Sequence, residues 1–331
     1  LFNPRKNPFL DHCDYQLFLL EDNSGLIGRI AAFIDHIAMD YWGEQVGLFG
    51  YYESIQDPAA GRLLLETARD WLLEKGCTSM RGPWSFVTQE WGSVVEGFTP
   101  PPVIMGPYNP PYYNDDYAAF GLEKVQDMLC WSISGADYEI PERIMRLTDA
   151  VAKRYKVKIR HINLKDFENE VKYFLDLANN SIIDNWGYSP VTDAEAQDMA
   201  DDLRLVLQER AVLFAENEAG EVIGFAVALP DLNTLLKGGD GRLFPTSIFK
   251  LLFGIPHLRH YRMFALGVIP EYQGKAIDSL LYRALYESIY SKDMWMEINY
   301  VLDDNWPMIN AIKKLNATPL RRYRVYQMEI E

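Results

Sequence analysis

The chain has 331 residues, 48% of them hydrophobic and 24% charged, which is enough for about two domains with real cores and excludes disordered, fibrous and low-complexity classes. Lys+Arg 32 against Asp+Glu 47 leave a net charge of -15, a field that repels polyphosphate backbones, so no nucleic acid partner is expected. No apolar run reaches the roughly 20 residues of a bilayer-spanning helix and no signal-peptide pattern opens the sequence, so a cytoplasmic protein is expected; the chain begins at Leu1 rather than Met, which leaves room for residues upstream.

After an opening loop over 3–12, alternating apolar positions predict strands over 15–21 and 28–36, joined by a tight turn at Asn23-Ser24-Gly25. A third strand over 46–52 runs into Ser54-Ile55-Gln56-Asp57-Pro58. Leu63, Leu64, Thr67, Ala68, Trp71 and Leu72 then recur at helical spacing up to Lys75, with Gly76 as C-cap. The stretch 81–111 is rich in Gly, Pro and aromatic residues and reads as a long ordered loop of the kind that often carries function.

The pattern breaks at Ser134-Gly135-Ala136-Asp137, and Pro141 opens a helix carrying Ile144, Leu147, Val151 and Tyr155. The domain boundary is therefore expected between an N-terminal unit, 1–136, and a C-terminal unit, 137–331. Helices follow over 167–179 and 192–209, then a hairpin whose strands, 211–216 and 222–229, flank Ala219-Gly220. A strand over 263–269 leads through Pro270-Glu271-Tyr272-Gln273-Gly274-Lys275 into a helix with Ile277, Leu280, Leu281, Ala284, Leu285 and Ile289 on its apolar face. Strands over 295–302 and 323–330 flank a short helix over 307–315.

Strand, loop, helix and strand thus occur twice. At an offset of 217 residues Gly50 matches Gly267, Gln56 matches Gln273, Ala59 matches Ala276, Leu63 and Leu64 match Leu280 and Leu281, and Lys75 matches Lys292, which suggests a tandem duplication.

Cys13, Cys77 and Cys130 lack both metal-site spacing and the even count of a disulfide framework, and read as reduced, buried thiols. His257 and His260 stand three apart, but no third ligand is near and Arg259 and Arg262 crowd them, so no metal is expected. The run Arg321-Arg322-Tyr323-Arg324 invites a phosphate-binding story and reads more simply as a solvated strand face.

The segment 266–281, LGVIPEYQGKAIDSLL, resembles the acyl-CoA binding motif of the GNAT superfamily of N-acyltransferases, Gln/Arg-x-x-Gly-x-Gly/Ala between strand and helix. Gln273 fits its first position, while Ala276 stands in place of the first Gly and Asp278 in place of the second small residue. Small residues matter there because they let backbone N–H groups at a helix N-terminus converge on the CoA pyrophosphate. The first half has Gln56-Asp57-Pro58-Ala59-Ala60-Gly61 at the same place. It also has Tyr117-Ala118-Ala119-Phe120-Gly121-Leu122, which is similar to the superfamily's closing Tyr-x-x-x-Gly-Phe run; in the second half Ile312 replaces that Tyr and Asn316-Ala317 replaces Gly-Phe. Pro4-Arg5-Lys6-Asn7-Pro8-Phe9, Gly28-Arg29-Ile30-Ala31 and Arg81-Gly82-Pro83-Trp84 look like a group of bacterial tandem GNAT proteins.

The resemblance implies an α/β (α+β) fold of two tandem GNAT-like mixed-sheet units with helices on both faces. It further implies an acyl-CoA-dependent N-acyltransferase that uses acetyl-CoA or a longer acyl-CoA as co-substrate, takes a small-molecule amine acceptor and needs no metal. Leu266, Gly267, Val268, Gln273, Gly274, Lys275, Ala276 and Ile277 would bind the donor, an N–H near Gly267 or Val268 would meet the thioester carbonyl, and Asn305 would contact pantetheine. Glu297 is the candidate base, with a solvated strand carboxylate as its alternative reading, and Tyr300 and Tyr326 are substitute acids that read equally as packed aromatics. In the first half Glu53 and Tyr117 take those places. A non-catalytic binding protein that kept the fold is the competing expectation, favoured by Asp278 and Ile312. The apolar insert 243–255 could line an acyl tunnel or touch a membrane, but packing between the two halves is the expected role and membrane contact is not. The sequence says nothing of oligomeric state.

Overall fold

The computed structural model describes residues 2–331 apart from 87–89, 138, 182, 184, 240, 241, 243, 245 and 316. Leu243 and Pro245 of the apolar insert and Asn316 of the closing motif lie outside the described residues. Contacts divide the chain into a first unit, Leu1–Leu129 with Ser189–Glu195 and Arg321–Glu331, and a second, Cys130–Tyr188 with Ala196–Leu320.

The first unit opens with a hairpin, β1 (Cys13–Asp22) and β2 (Gly25–Asp35), whose turn is tied by Asp22 accepting hydrogen bonds from Ser24 N at 2.7 Å and Ser24 Oγ at 2.6 Å. Gly25 takes φ 119°, which a side chain would resist. The second strand stops at Asp35, because that carboxylate accepts from Ala38 N at 3.0 Å and caps α1 (His36–Trp42). Then come β3 (Val46–Ser54) and α2 (Pro58–Glu74), which buries Ala60, Leu64, Leu65, Ala68 and Leu72 but leaves Leu63 of the predicted apolar face exposed, because the buried stripe is shifted toward Leu65. Two short strands, β4 (Ser79–Gly82) and β5 (Ser93–Glu96), lie within or beside the stretch read as loop; four residues each are too few to show an alternation. α3 (Tyr112–Phe120) follows, and the chain passes into the second unit within β6 (Glu123–Ser134).

The second unit contains α4 (Glu142–Tyr155), β7 (Lys158–His161), α5 (Phe167–Ser181), α6 (Asp193–Arg204), whose first turn groups with the first unit, β8 (Val212–Glu216), β9 (Val222–Pro230), α7 (Asn233–Leu236) and α8 (Thr246–Gly254). β10 (His260–Val268), α9 (Ile277–Ile289), β11 (Trp295–Leu302) and α10 (Trp306–Lys314) complete it, and β12 (Thr318–Glu329) ends the chain. From Arg321 onward that last strand belongs to the first unit, where it runs antiparallel to β4 with Tyr326 opposite Gly82 and Glu329 opposite Ser79. The return has a packing cause, because Tyr326 and Ile330 complete the core formed by Phe49, Leu65, Met80 and Tyr117. The run 321–324 is accordingly not a solvated face. Arg321 is 4% exposed and donates to the Gly97 and Pro100 carbonyls, and Arg322 and Arg324 ion-pair with the buried Asp127 at 3.1 and 2.8 Å.

Each unit is a mixed sheet with helices on both faces. In the first, the order is β1-β2-β3-β4-β12; in the second, β11-β10-β9-β8-β7. Each sheet contains one parallel pair that soon parts. β3 and β4 pair only from Val46/Ser79 to Leu48/Arg81, and β10 and β11 only from His260/Trp295 to Met263/Ile298. Beside each parting the longer strand carries a register shift against its antiparallel neighbour, at Arg29/Ala31 opposite β3 and at Met263/Ala265 in β10. A bulge next to parting strands leaves backbone groups unpaired inside a cleft.

Candidate functional site

In the second unit, the loop after β10 turns through Gln273, Gly274, Lys275 and Ala276. Gln273 Nε2 donates to the Val268 carbonyl at 3.0 Å and ties the loop to the strand end. Gly274 takes φ 71° and Ala276 φ 60°; the alanine accepts a left-handed conformation that costs it about 1 kcal/mol. Ala276 is the N-cap residue of α9 and makes no side-chain cap bond, so the first N–H groups of a 13-residue helix are left for an anion. Lys275 Nζ lies 4.5 Å from the Tyr272 ring centroid. Asp278 sits in the first turn of α9, and burial together with its charge pushes the Tyr282 hydroxyl above the usual tyrosine range. Ile277 is fully buried beneath the loop.

Leu266, Gly267 and Val268 form the end of β10 on the other side of this loop. A Cβ at Gly267 would stand 2.3 Å from Ser181 Oγ and 2.6 Å from the Phe225 ring, so the strand must be bare there. Ser181, at the end of α5, is a residue the sequence reading missed. Its buried hydroxyl has no hydrogen-bond partner among the described residues, and no motif marks it because only packing brings it to Gly267.

On β11 Glu297 is 0% exposed and in register with the buried Arg262, which overturns the solvated-carboxylate reading. Asn299 Nδ2 donates to Glu297 Oε1 at 3.3 Å, while Asn299 Oδ1 is buried without a partner among the described residues. Arg262 places its guanidinium 5.2 Å from the Tyr300 ring centroid. Asn305 Oδ1 accepts from Met308 N at 3.2 Å and caps α10. Ile312, which replaces the motif tyrosine, is fully buried. Beside this site lies an apolar cavity lined by Phe167, Phe174, Met199, Leu203, Phe214 and the bulge residue Phe264.

The first unit builds the corresponding place differently. Asp57 accepts from Ala59 N at 2.9 Å, and its own carboxylate therefore occupies the start of α2. A Cβ at Gly61 would meet Tyr52 Oη at 2.6 Å and the Asp116 carboxylate at 2.8 Å, so the small motif residue makes room for that hydrogen-bonded pair. Tyr117 is 1% exposed, ringed by Phe49, Tyr52 and Tyr326 at 5.6, 5.2 and 5.3 Å, and burial holds its hydroxyl well above the usual range. Tyr326 is buried beside it with its hydroxyl on Asn114 Oδ1 at 3.0 Å. Glu53 is an exposed partner of Arg29 at 2.7 Å.

His257 and His260 fall in a turn and at the start of β10, not on one helix face. Among the described residues, the one His/Cys/Asp/Glu group close enough to hold a metal is His12, Cys13 and Asp35. There His12 Nδ1 lies 3.0 Å from Asp35 and Nε2 lies 3.5 Å from Glu195. Burial opposes the imidazolium, but hydrogen bonds to Asp35, Cys13 and Glu195 outweigh it and raise the His12 pKa to about 12. Among the described residues no cysteines form a disulfide, Cys77 and Cys130 being buried and Cys13 partly so. No described helix is long and apolar enough to cross a membrane.

No family model matches the chain. It is 32% identical over 333 residues to protein YghO of Escherichia coli strain K12, covering 98% of this chain and 85% of that one. It is 30% identical over 335 residues to the bacterial ceramide synthase of Caulobacter vibrioides, covering 98% of this chain and 86% of that one. Among solved structures it is similar to a tandem GNAT protein from the clavulanic acid biosynthesis pathway, with a TM-score of 0.56 at 13% identity over 96% of this chain and 83% of that one. It is also similar to a GCN5-related N-acetyltransferase from Sphaerobacter thermophilus, with a TM-score of 0.54 at 12% identity over 96% of this chain and 81% of that one.

Proposed function

Because the chain belongs to the family of YghO and bacterial ceramide synthase and has the tandem GNAT fold, we propose that it is an N-acyltransferase joining a fatty acyl group from acyl-CoA to the primary amine of a long-chain amino alcohol. The observation that carries this reading is the second-unit cleft, where β10 parts from β11 beside a helix N-terminus with no side-chain cap.

Lys275 and the first N–H groups of α9 supply the positive end for the donor's pyrophosphate. A backbone N–H at Gly267 or Val268, at the end of β10, donates to the thioester oxygen as charge develops on it. The amine nitrogen attacks the carbonyl carbon, the amide bond forms as the carbon–sulfur bond breaks, and CoA leaves as the thiol. Glu297 takes the amine proton, held in place by Asn299, and Tyr300 gives one to the departing sulfur. Tyr117, 1% exposed among aromatic rings, serves as a packing residue of the first unit. The apolar cavity beside Phe264 supports a hydrocarbon chain in at least one substrate.

Calorimetric titration of acetyl-CoA and palmitoyl-CoA, repeated with Lys275→Glu, tests the donor site. Preference for the long chain and an affinity loss of at least about tenfold in the variant are expected, since a charge reversal beside a pyrophosphate is worth more than 1 kcal/mol. Failure of both ligands to bind defeats the reading. The second reading, a binding protein without turnover, is favoured by the buried Ile312 in place of a tyrosine; tight donor binding with no thiol release on adding sphinganine would establish it.

A further inference from the structure

Between β9 and β10 the chain leaves the second unit's sheet to form α7 and α8. The inner side of α8 is anchored: Ser247 is 1% exposed, and a Cβ at Gly254 would stand 2.7 Å from the Leu235 side chain of α7. The outer side is apolar. Phe249, Leu252 and Phe253, at positions i, i+3 and i+4 and so on one stripe, are 59%, 64% and 73% exposed, and Phe244 just before the helix is 70% exposed. A surface helix ordinarily turns its apolar stripe to the core; here a serine faces inward and two phenylalanines and a leucine face water. Ile248 and Leu251 are half-buried, so α8 packs through one side and leaves the other in water.

The charge around the stripe is also unusual for this chain. Residues 232–260 hold four Lys/Arg, at 237, 242, 250 and 259, against the one acid Asp240, whereas the whole chain is at -15. Lys237, Arg242 and Lys250 are exposed. An apolar stripe with a basic rim on an otherwise acidic protein matches an anionic lipid surface, where cations meet headgroups and aromatic side chains enter the acyl boundary. A second copy of the same face would set basic rim against basic rim.

We propose that α8 is an interfacial helix that docks the protein on anionic bilayers through Phe249, Leu252 and Phe253, with Lys250 and its basic neighbours on the headgroups. The proposal rests on this helix and its charge, not on the acyl-transfer reading, although a docked enzyme would draw long-chain substrates directly from the bilayer.

Flotation of the full chain with phosphatidylcholine vesicles, and with vesicles that also contain phosphatidylglycerol, tests it. Co-flotation is expected with the anionic vesicles alone, reversed by high salt, and Phe249→Asp/Phe253→Asp should reduce the bound fraction by about tenfold or more. Lys250→Glu should weaken it less. These side chains contact solvent, so the urea midpoint of the double variant should equal that of the parent. The proposal is overturned by failure of the parent to float with anionic vesicles, by undiminished flotation of the double variant, or by a dimer that the double variant converts to monomer. Acyl-CoA titration of the double variant, expected to match the parent, keeps this result separate from the donor site.

Discussion

The two helix-opening loops, 217 residues apart in sequence, start from nearly the same motif and end as different sites. In the first unit Asp57 folds back onto Ala59 N, and Gly61 gives its space to Tyr52 and Asp116. In the second, no side chain caps α9, and Gly274 and Ala276 take positive φ. A helix N-terminus binds an external anion only when no internal one already serves it. The comparison therefore sets a helix start occupied by the chain's own carboxylate against one that no side chain caps, a difference made by single residues rather than by the fold.

The sharpest test of that difference uses the paired glycines. A Cβ at Gly50 would stand 1.7 Å from the Trp84 carbonyl oxygen, which is backbone and cannot yield, whereas at Gly267 the obstacles are the side chains of Ser181 and Phe225. Gly50→Ala is expected to destabilise by about 3 kcal/mol and Gly267→Ala by about 1 kcal/mol, read from urea midpoints, with the second instead losing turnover. Equal costs at the two positions would break the comparison.

A pH-dependent element belongs to the first unit. His12→Gln removes an imidazolium held between Asp35 and Glu195 and is expected to destabilise by about 2 kcal/mol at pH 6. Because the folded pKa is raised from 6.5 to about 12, the contribution is complete below pH 6.5 and is lost as pH rises toward 12. The gap between parent and variant in chemical denaturation should thus narrow from neutral pH upward. A gap that widens over that range would show the ring to be neutral in the folded protein.

The smallest effect separates the two loops themselves. Asp57→Ala should cost about 1 kcal/mol of stability through the lost cap, without changing acyl-CoA affinity. Asp278→Ala should leave affinity within about twofold of the parent, the size expected of one partly exposed, solvent-screened charge in the first turn of α9. Stronger binding after removal of Asp278 would mean that the acid faces the donor.

Much of the fold was legible from short-range patterns. The strands that became β1, β2, β3, β8, β9 and β11, and the helices α2, α4, α5 and α9, follow from periods of two and 3.6 because each buries one face. β4 and β5 were not legible, since a strand of four residues is defined by its neighbours' hydrogen bonds. In the site, Gln273, Gly274 and Lys275 were marked by local motif chemistry. Ser181 and Asn299 were not, because their unpaired buried atoms arise from packing. Asn305 was marked by position, and its capping bond to Met308 N became visible only with the helix in place.

By itself the sequence determined the repeated strand–loop–helix unit, the loop that opens α9 and the absence of a long apolar span, all of which depend on residues near one another in the chain. The tertiary structure decided that β12 returns to the first unit, that Glu297 and Arg262 are buried together, that Asp57 closes one helix end while the other stays open, and that α8 turns its apolar stripe outward. Periodicity reports which residues share a face of an element. Which way that face points, and which charges end up buried against each other, depends on contacts between residues far apart in sequence, for which a local pattern carries no signal.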